Sequence, residues 1–275
     1  MSNMEAIKKL RDSTGSGIVD CKKALLENNN DIEKAIKWLR EKGILKAQKK
    51  QDRETNEGVI SFFNHDVSFS SLSLCMIKCE TDFVAKNDDF LKFSKEIGEI
   101  NNSVNSDLDK LNNSKMKNGS TVSQNLIDLI AKIGEKITIG RSKTLIRESS
   151  KNYVYQHSVI KDNVSKLATL VSLNINEKKE SVDIFGKQLS MHIAASNPIA
   201  LMPEDIDQDI INKELELIAE ELKTSGKPDE IAKKISLGKI NKFKHENSLM
   251  TQDWVMDPKL KVKDVLENLK IPNLK

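Results

Sequence analysis

Three cysteines and four histidines are the thiols and imidazoles this chain offers for metal or nucleophilic chemistry. Cys75 and Cys79 have a spacing seen in metal sites, but on a strand they are two same-face core positions. No paired Cys-x-x-Cys accompanies them, and only His65 is near in sequence. Cys21 falls on a helix and reads as packing rather than as a nucleophile. His157 follows Tyr155-Gln156 on a strand and reads as an exposed or edge residue. His192, in His192-Ile193-Ala194-Ala195-Ser196, reads as a core or hinge histidine rather than a base. The glycine-rich phosphate cradles and the nucleophile elbow are missing from the sequence. With no convergent acid, base and nucleophile, the expectation is a protein that is not an enzyme and needs neither cofactor nor metal.

One constellation stands apart. Thr81-Asp82-Phe83-Val84-Ala85-Lys86 lies where a strand ends and a helix has not begun. It sets an aromatic beside an acid in a tight connection. Two readings fit: Phe83 folds back to plug the core, or it is a rigid aromatic anchor whose charged neighbour sets register on a partner.

The elements around that loop follow from periodicity. Ala6, Ile7 and Leu10 share one helical face, Gly15-Ser16-Gly17 breaks it, and Ile18 to Leu26 forms a second helix. Asn30 is expected to cap a third, with Glu33 as its capping-box partner, an apolar stripe of Ile32, Ala35, Ile36 and Leu39, and Gly43 as a left-handed stop. This gives a three-helix domain over 1–45, then a polar linker over 46–57. From Gly58 the pattern turns to strands, Gly58 to Asn64 and Ser68 to Glu80, joined by the turn Asn64-His65-Asp66. A helix from about Asp88 to Asn101 carries Phe90, Phe93, Ile97 and Ile100 on one side. Residues 101–123 are rich in Asn, Ser and Lys and read as loose. Leu126, Ile127, Ile130 and Ile133 mark a further helix, and a strand from Ile137 to Ile146 closes a first α+β subdomain over 58–147.

A second subdomain spans 148–275, with strands at Tyr153–Ile160 and Leu167–Ile175 and a helix at Val182–Ser196. Ile211, Leu215, Ile218 and Leu222 form a heptad-like seam, Ser225-Gly226-Lys227-Pro228 turns the chain, and a helix with Ile231 and Ile235 returns. An antiparallel helical hairpin is thus expected as an insertion over 204–245. Leu260 to Leu269 reads as a last helix. The fold class is α+β, with antiparallel sheets in both subdomains.

Composition bounds the partners. Across 275 residues, 44 Lys+Arg nearly cancel 41 Asp+Glu, leaving +3, too balanced for a dedicated nucleic-acid binder. No apolar run approaches the ~20 residues that span a bilayer, and the odd, low cysteine count suits a reducing compartment. The chain is expected to be cytoplasmic, with no membrane, direct nucleic-acid or small-molecule partner.

The stretch from Thr14 to Leu25, read with Thr81 to Lys86, resembles the two signatures of the elongation factor Ts family. Ile133-Gly134-Glu135, Tyr155-Gln156-His157, His192 to Ser196 and Ser225 to Pro228 are similar to that family's residues in the same order. The resemblance implies a ubiquitin-associated-like three-helix domain, then a two-subdomain core with a projecting hairpin. It implies a guanine-nucleotide exchange factor for elongation factor Tu, into whose G domain Asp82 and Phe83 enter, within a contact that includes Thr81, Val84 and Lys86. Ile133, Gly134 and Glu135 would support that contact, His157 would touch Tu's third domain, and Arg11, Ile18 and Val19 would grip the far end of the G domain. The sequence departs from the family in lacking a glycine-rich run within Ser158–Lys166. It also lacks the family's last strand before Lys275, so the second sheet is expected either to be one strand short or to leave an edge open. The rival reading is an RNA- or protein-binding adaptor without exchange activity, docking through the three-helix domain and the run Lys46, Lys49 and Lys50.

Overall fold

A computed structural model describes residues 3–14, 16–65, 71–146, 150–175, 179–224 and 228–271. Gly15, Asp66, the expected turn residues Ser225, Gly226 and Lys227, and the last four residues lie outside that set. The chain forms two units, one of Met1–Glu148 with Gln156–Leu170, the other of Ser149–Tyr155 with Val171–Lys275.

The first unit opens with α1 (Asn3–Thr14), α2 (Ile18–Glu27) and α3 (Ile32–Gln48) around Ala6, Ile7, Leu10, Cys21, Ala24, Leu25 and Ala35. Two expectations change here. Asn29 and Asn30 both adopt left-handed backbone, at φ 51° and 59°, which asparagine tolerates. A cap needs extended backbone, so the role passes to Asp31, whose carboxylate accepts from the Lys34 N–H at 3.0 Å. Gly43 does not stop α3 either. The helix runs on to Gln48, because a bare Gly43 faces Ala131 and Ile127 on a later helix and is buried there.

Strand β1 (Glu57–Asn64) pairs antiparallel with β2 (Ser71–Cys79), from Glu57 opposite Cys79 to Asn64 opposite Leu72. Ser73, Cys75, Ile77 and Cys79 form the buried face of β2. A single turn, α4 (Asp82–Ala85), precedes α5 (Asp88–Ser103), which lays Phe90, Phe93 and Ile97 on that face. The segment 101–123 is built rather than loose. It completes α5, forms α6 (Leu108–Asn113) under an Asp107 cap, and closes with a bridge between Lys115 and Thr121. Leu111, Met116 and Val122 are its buried apolar anchors, enough to order a stretch that is polar on average. Helix α7 (Val122–Ile133) and strand β3 (Thr138–Ile146), paired with β2, follow.

The long strands β4 (Ser150–Lys161) and β5 (Val164–Asn174) turn at Asp162-Asn163, where Asn163 takes a left-handed φ of 63° in place of a glycine. Separate sheets for two subdomains were expected, but β1 presents an edge that pairs with β5 at Ile60–Ser165 and Ser61–Val164. The result is one five-stranded sheet in the order β3-β2-β1-β5-β4.

In the second unit α8 (Glu180–Ser196) carries Val182, Phe185 and Leu189 into a core with Tyr153, Val171, Leu173, Ile175, Trp254 and Val262. A Cβ on Gly186 would sit 2.3 Å from the Tyr153 ring, so a bare backbone lets that ring lie against the helix. Helices α9 (Gln208–Thr224) and α10 (Asp229–Glu246) pack through a cluster that also includes Ile206 and Ala200. The expected seam on α9 is present, with Ile211 and Ile218 buried and Leu215 and Leu222 against them. On α10 the partners are Ile240 and Phe243, whereas Ile231 is exposed, so the return helix presents a different face than expected. Near the C-terminus, β6 (Asp253–Trp254) and β7 (Asp257–Lys261) form a small antiparallel pair before α11 (Val262–Asn268). The expected helix from Leu260 thus begins two residues later, because Leu260 and Lys261 finish β7. No helix among the described residues is long and apolar enough to cross a membrane.

Candidate functional site

The turn bearing Phe83 is fixed at both ends and from below. Thr81 leaves β2 in extended conformation and caps α4, its hydroxyl oxygen accepting from the Val84 N–H. Asn87 caps α5 in the same way, accepting from the N–H groups of Asp89 and Phe90, so the one-turn helix sits between two caps with no slack. Val84 and Ala85 are buried and nail the turn to the core. Phe83, the residue before them, is 81% exposed. The aromatic therefore does not plug the sheet. A one-turn helix with its second half buried has no other place for the ring but solvent.

Asp82 precedes it and accepts a hydrogen bond from Lys86 Nζ at 2.9 Å. That bond holds the Asp82 carboxyl below the usual carboxylate range and raises Lys86 in turn. Beneath lies the connection between α7 and β3. Gly134 ends α7 in left-handed conformation at φ 89°, which aims Glu135 at the turn above. Glu135 Oε1 accepts from the Thr81 hydroxyl at 2.7 Å, and its Oε2 accepts from the Thr81 N–H at 3.0 Å. Ile133 packs half-buried against the core.

The site residues expected from the sequence fall into three groups within the first unit. Thr81, Asp82, Phe83, Val84, Lys86, Ile133, Gly134 and Glu135 come together. Val84 is in the core rather than on the surface, because the turn packs against β1 and β2 and joins Val84 and Ala85 to the cluster of Val59, Ile77 and Phe90. Arg11 and Ile18 line a shared hollow with Met4, Ile7 and Lys8, and Val19 is exposed on the next residue of α2. Apolar side chains at 56% (Ile18), 75% (Met4) and 81% (Val19) exposure make an uncovered patch on the helical bundle. His157 is exposed on β4, directly before Ser158 at φ 52°.

Sequence reasoning missed a second ring of charge. Glu80 accepts from the Lys136 N–H at 2.5 Å, a bond that holds its carboxyl below the usual range, with Arg53 adding to the effect. Lys136 Nζ donates to the carbonyls of Gln51 and Arg53, and Lys50 Nζ donates to the Gly134 carbonyl. The available signal was adjacency: Glu80 flanks Thr81, and Lys136 flanks Glu135.

A family model described as Elongation factor TS matches residues 80–274, and one described as Elongation factor Ts, mitochondrial, N-terminal matches residues 1–50. The chain belongs to the elongation factor Ts family. It is similar to the elongation factor Ts of Gluconobacter oxydans, at 36% identity over 95% of this chain and 85% of that protein. It is similar to that of Sphingopyxis alaskensis at 39% identity, over 94% and 84% respectively. Elongation factor Ts of Rhizobium etli strain CIAT 652 matches at 38% over 93% and 82%. Membership makes the chain an elongation factor of protein biosynthesis. Both the Phe83 turn and the Glu135 connection fall inside the part matched to elongation factor Ts.

Proposed function

We propose that this protein is the guanine-nucleotide exchange factor of translation elongation, binding elongation factor Tu in its GDP form and promoting GDP release. The observation that carries the reading is Phe83, an aromatic held 81% exposed on a turn whose next two residues, Val84 and Ala85, are buried. Aromatic anchors that fill a pocket on the partner are recurrent centres of binding energy at interfaces.

In this reading Phe83 wedges into Tu's G domain near its Mg²⁺ site while Asp82 steers the approach. Mg²⁺ demands near-octahedral oxygen geometry, so a small shift of a supporting helix weakens metal and phosphates together. Exchange is linkage: the factor and GDP each lower the other's affinity by the same ratio. GTP then displaces the factor. The Ile18, Val19 and Arg11 patch on a ubiquitin-associated-like bundle and the exposed His157 supply further contacts. The domain boundaries read from the sequence belong to the same proposal, as do the absence of nucleic-acid, membrane and small-molecule partners and a cytoplasmic location. The rival RNA-docking reading is weakened because Lys46 is paired with Asp20 at 3.0 Å and Lys50 is bonded to Gly134.

The test is release of a fluorescent GDP from elongation factor Tu. Phe83→Ala should lower the acceleration about thirtyfold, the equivalent of about 2 kcal/mol. It should leave thermal stability within about 0.5 kcal/mol of the parent, as for an exposed residue outside the core. Equal acceleration by parent and variant would remove Phe83 from the mechanism.

A further inference from the structure

A four-residue helix cannot sustain itself, since helix nucleation is unfavourable and propagation over one turn does not recover the cost. The α4 turn must therefore be held by its surroundings. Ala85 and Val84 hold its C-terminal half by burial. The N-terminal half, where Asp82 and Phe83 begin, has Thr81, and Thr81 is held by Glu135.

We propose that Glu135 is a positioning residue for the Asp82–Phe83 turn, acting through Thr81 from beneath and not by touching the partner. This rests on the exchange reading above. Both carboxylate oxygens of Glu135 are committed to Thr81, one to its N–H and one to its hydroxyl, in charge-assisted bonds. The same two connections are stitched in reverse: Glu80, before Thr81, takes the N–H of Lys136, after Glu135. Each loop's glutamate thus accepts the other loop's backbone N–H. The linker after α3 is strapped to this clasp. Arg53 reaches both oxygens of Glu80 at 3.3 Å, Lys136 reaches the Gln51 and Arg53 carbonyls, and Lys50 reaches Gly134. A turn ordered before the encounter does not lose that freedom on binding, which is where preorganisation gains affinity.

The experiment joins two readouts. In the free protein, deuterium exchange of the Thr81 to Lys86 amides is compared among parent, Glu135→Ala and Glu135→Gln, alongside the global melting temperature. GDP release from elongation factor Tu is measured for the same proteins and in the Phe83→Ala background. Glu135→Ala should speed amide exchange in the turn, and slow GDP release, about tenfold each, the worth of a charged hydrogen bond. Glu135→Gln, which keeps an oxygen acceptor and an N–H donor for Thr81, should stay within about threefold of the parent. Once Phe83 is alanine, removing Glu135 should add little, because the clasp acts through that ring. Full additivity with Phe83→Ala, or unchanged protection of the turn, overturns the proposal. So does a Gln variant as impaired as Ala, which would point to a direct charge contact. If Glu135→Ala does not fold, the Gln variant carries the comparison in both backgrounds. A parent that releases no GDP defeats the exchange reading, and with it any role in exchange, while the protection data on the free protein still judge the clasp separately.

Discussion

His192 shows how much one buried side chain can dictate. Its ring is fully buried and stacks on Trp254 with centroids 5.2 Å apart. The Val255 N–H donates to Nδ1 at 3.3 Å, so the proton sits on Nε2 and is donated to Gln252 Oε1 at 3.1 Å. The site fits a neutral imidazole, and burial pushes its pKa below the ordinary histidine value. A pKa lowered by folding means that the unfolded chain binds the extra proton more readily. The stability this residue contributes is complete above about pH 6.5 and is lost as pH falls below that value. In a Trp38→Phe background, thermal melts followed by Trp254 emission should therefore show a lower midpoint at pH 5.5 than at 7.5. A flat midpoint across that window would remove the assignment. Carboxylates held low, such as Asp183 with its bonds from Lys151 and Tyr153, lose their contribution only in stronger acid and do not confuse the test. The core placement of His192 was legible from its apolar helix. The two outcomes open for Phe83 were not separable from sequence, because the choice depends on whether Val84 and Ala85 reach the core first.

Among the elements, α3 is where local signals and tertiary packing part company. Gly43 has the spacing of a helix stop, yet α3 continues because α7 packs across it. A Cβ built there would lie 3.5 Å from Ala131 and Ile127, ordinary contact rather than collision. Gly43→Ala should therefore stabilise the protein by about 0.5–1 kcal/mol, the helix-propensity difference, read as a higher urea midpoint. A destabilised variant would mean that α3 and α7 approach more closely than this geometry allows. Helix α7 lies far away in sequence, and no local pattern around Gly43 announces it. The segment 101–123 failed differently. Its Asp107 and Thr121 caps and the Leu108–Leu111 spacing were all present, but average polarity outweighed three well-placed apolar anchors. The short α4 lacks any period to detect, being a single turn made by its caps.

Among the described residues, apolar contacts divide into separate clusters, and the one that holds α9 against α10 also takes in Ile206 and Ala200 at their base. Its base is joined by backbone bonds, Ile199 N–H to the Asn247 carbonyl at 3.0 Å and Leu249 N–H to the Ala200 carbonyl at 2.9 Å. Replacing residues 207–243 with a short Gly-Ser link spares those bonds and the core around Phe185 and Trp254. Such a protein should fold cooperatively and keep the emission of buried Trp254. Loss of that signal would show that the second unit needs its helical pair. The helical seam was readable from its heptad spacing, and so were the alternating strands. The union of β1 with β5 was not, since strand pairing over such separations is set by edges that only the folded chain defines. The three thiols are also shared out unevenly: Cys21 sits in the helical cluster, Cys75 and Cys79 sit in the cluster beneath the sheet, and all are buried. Burial pushes the thiols of Cys75 and Cys79 up to about 12, leaving almost no thiolate at neutral pH. An alkylating reagent can then reach each one only while its own neighbourhood is open. The chain thus carries two native stopwatches, with Cys21 timing the breathing of the bundle and Cys75 with Cys79 timing that of the sheet.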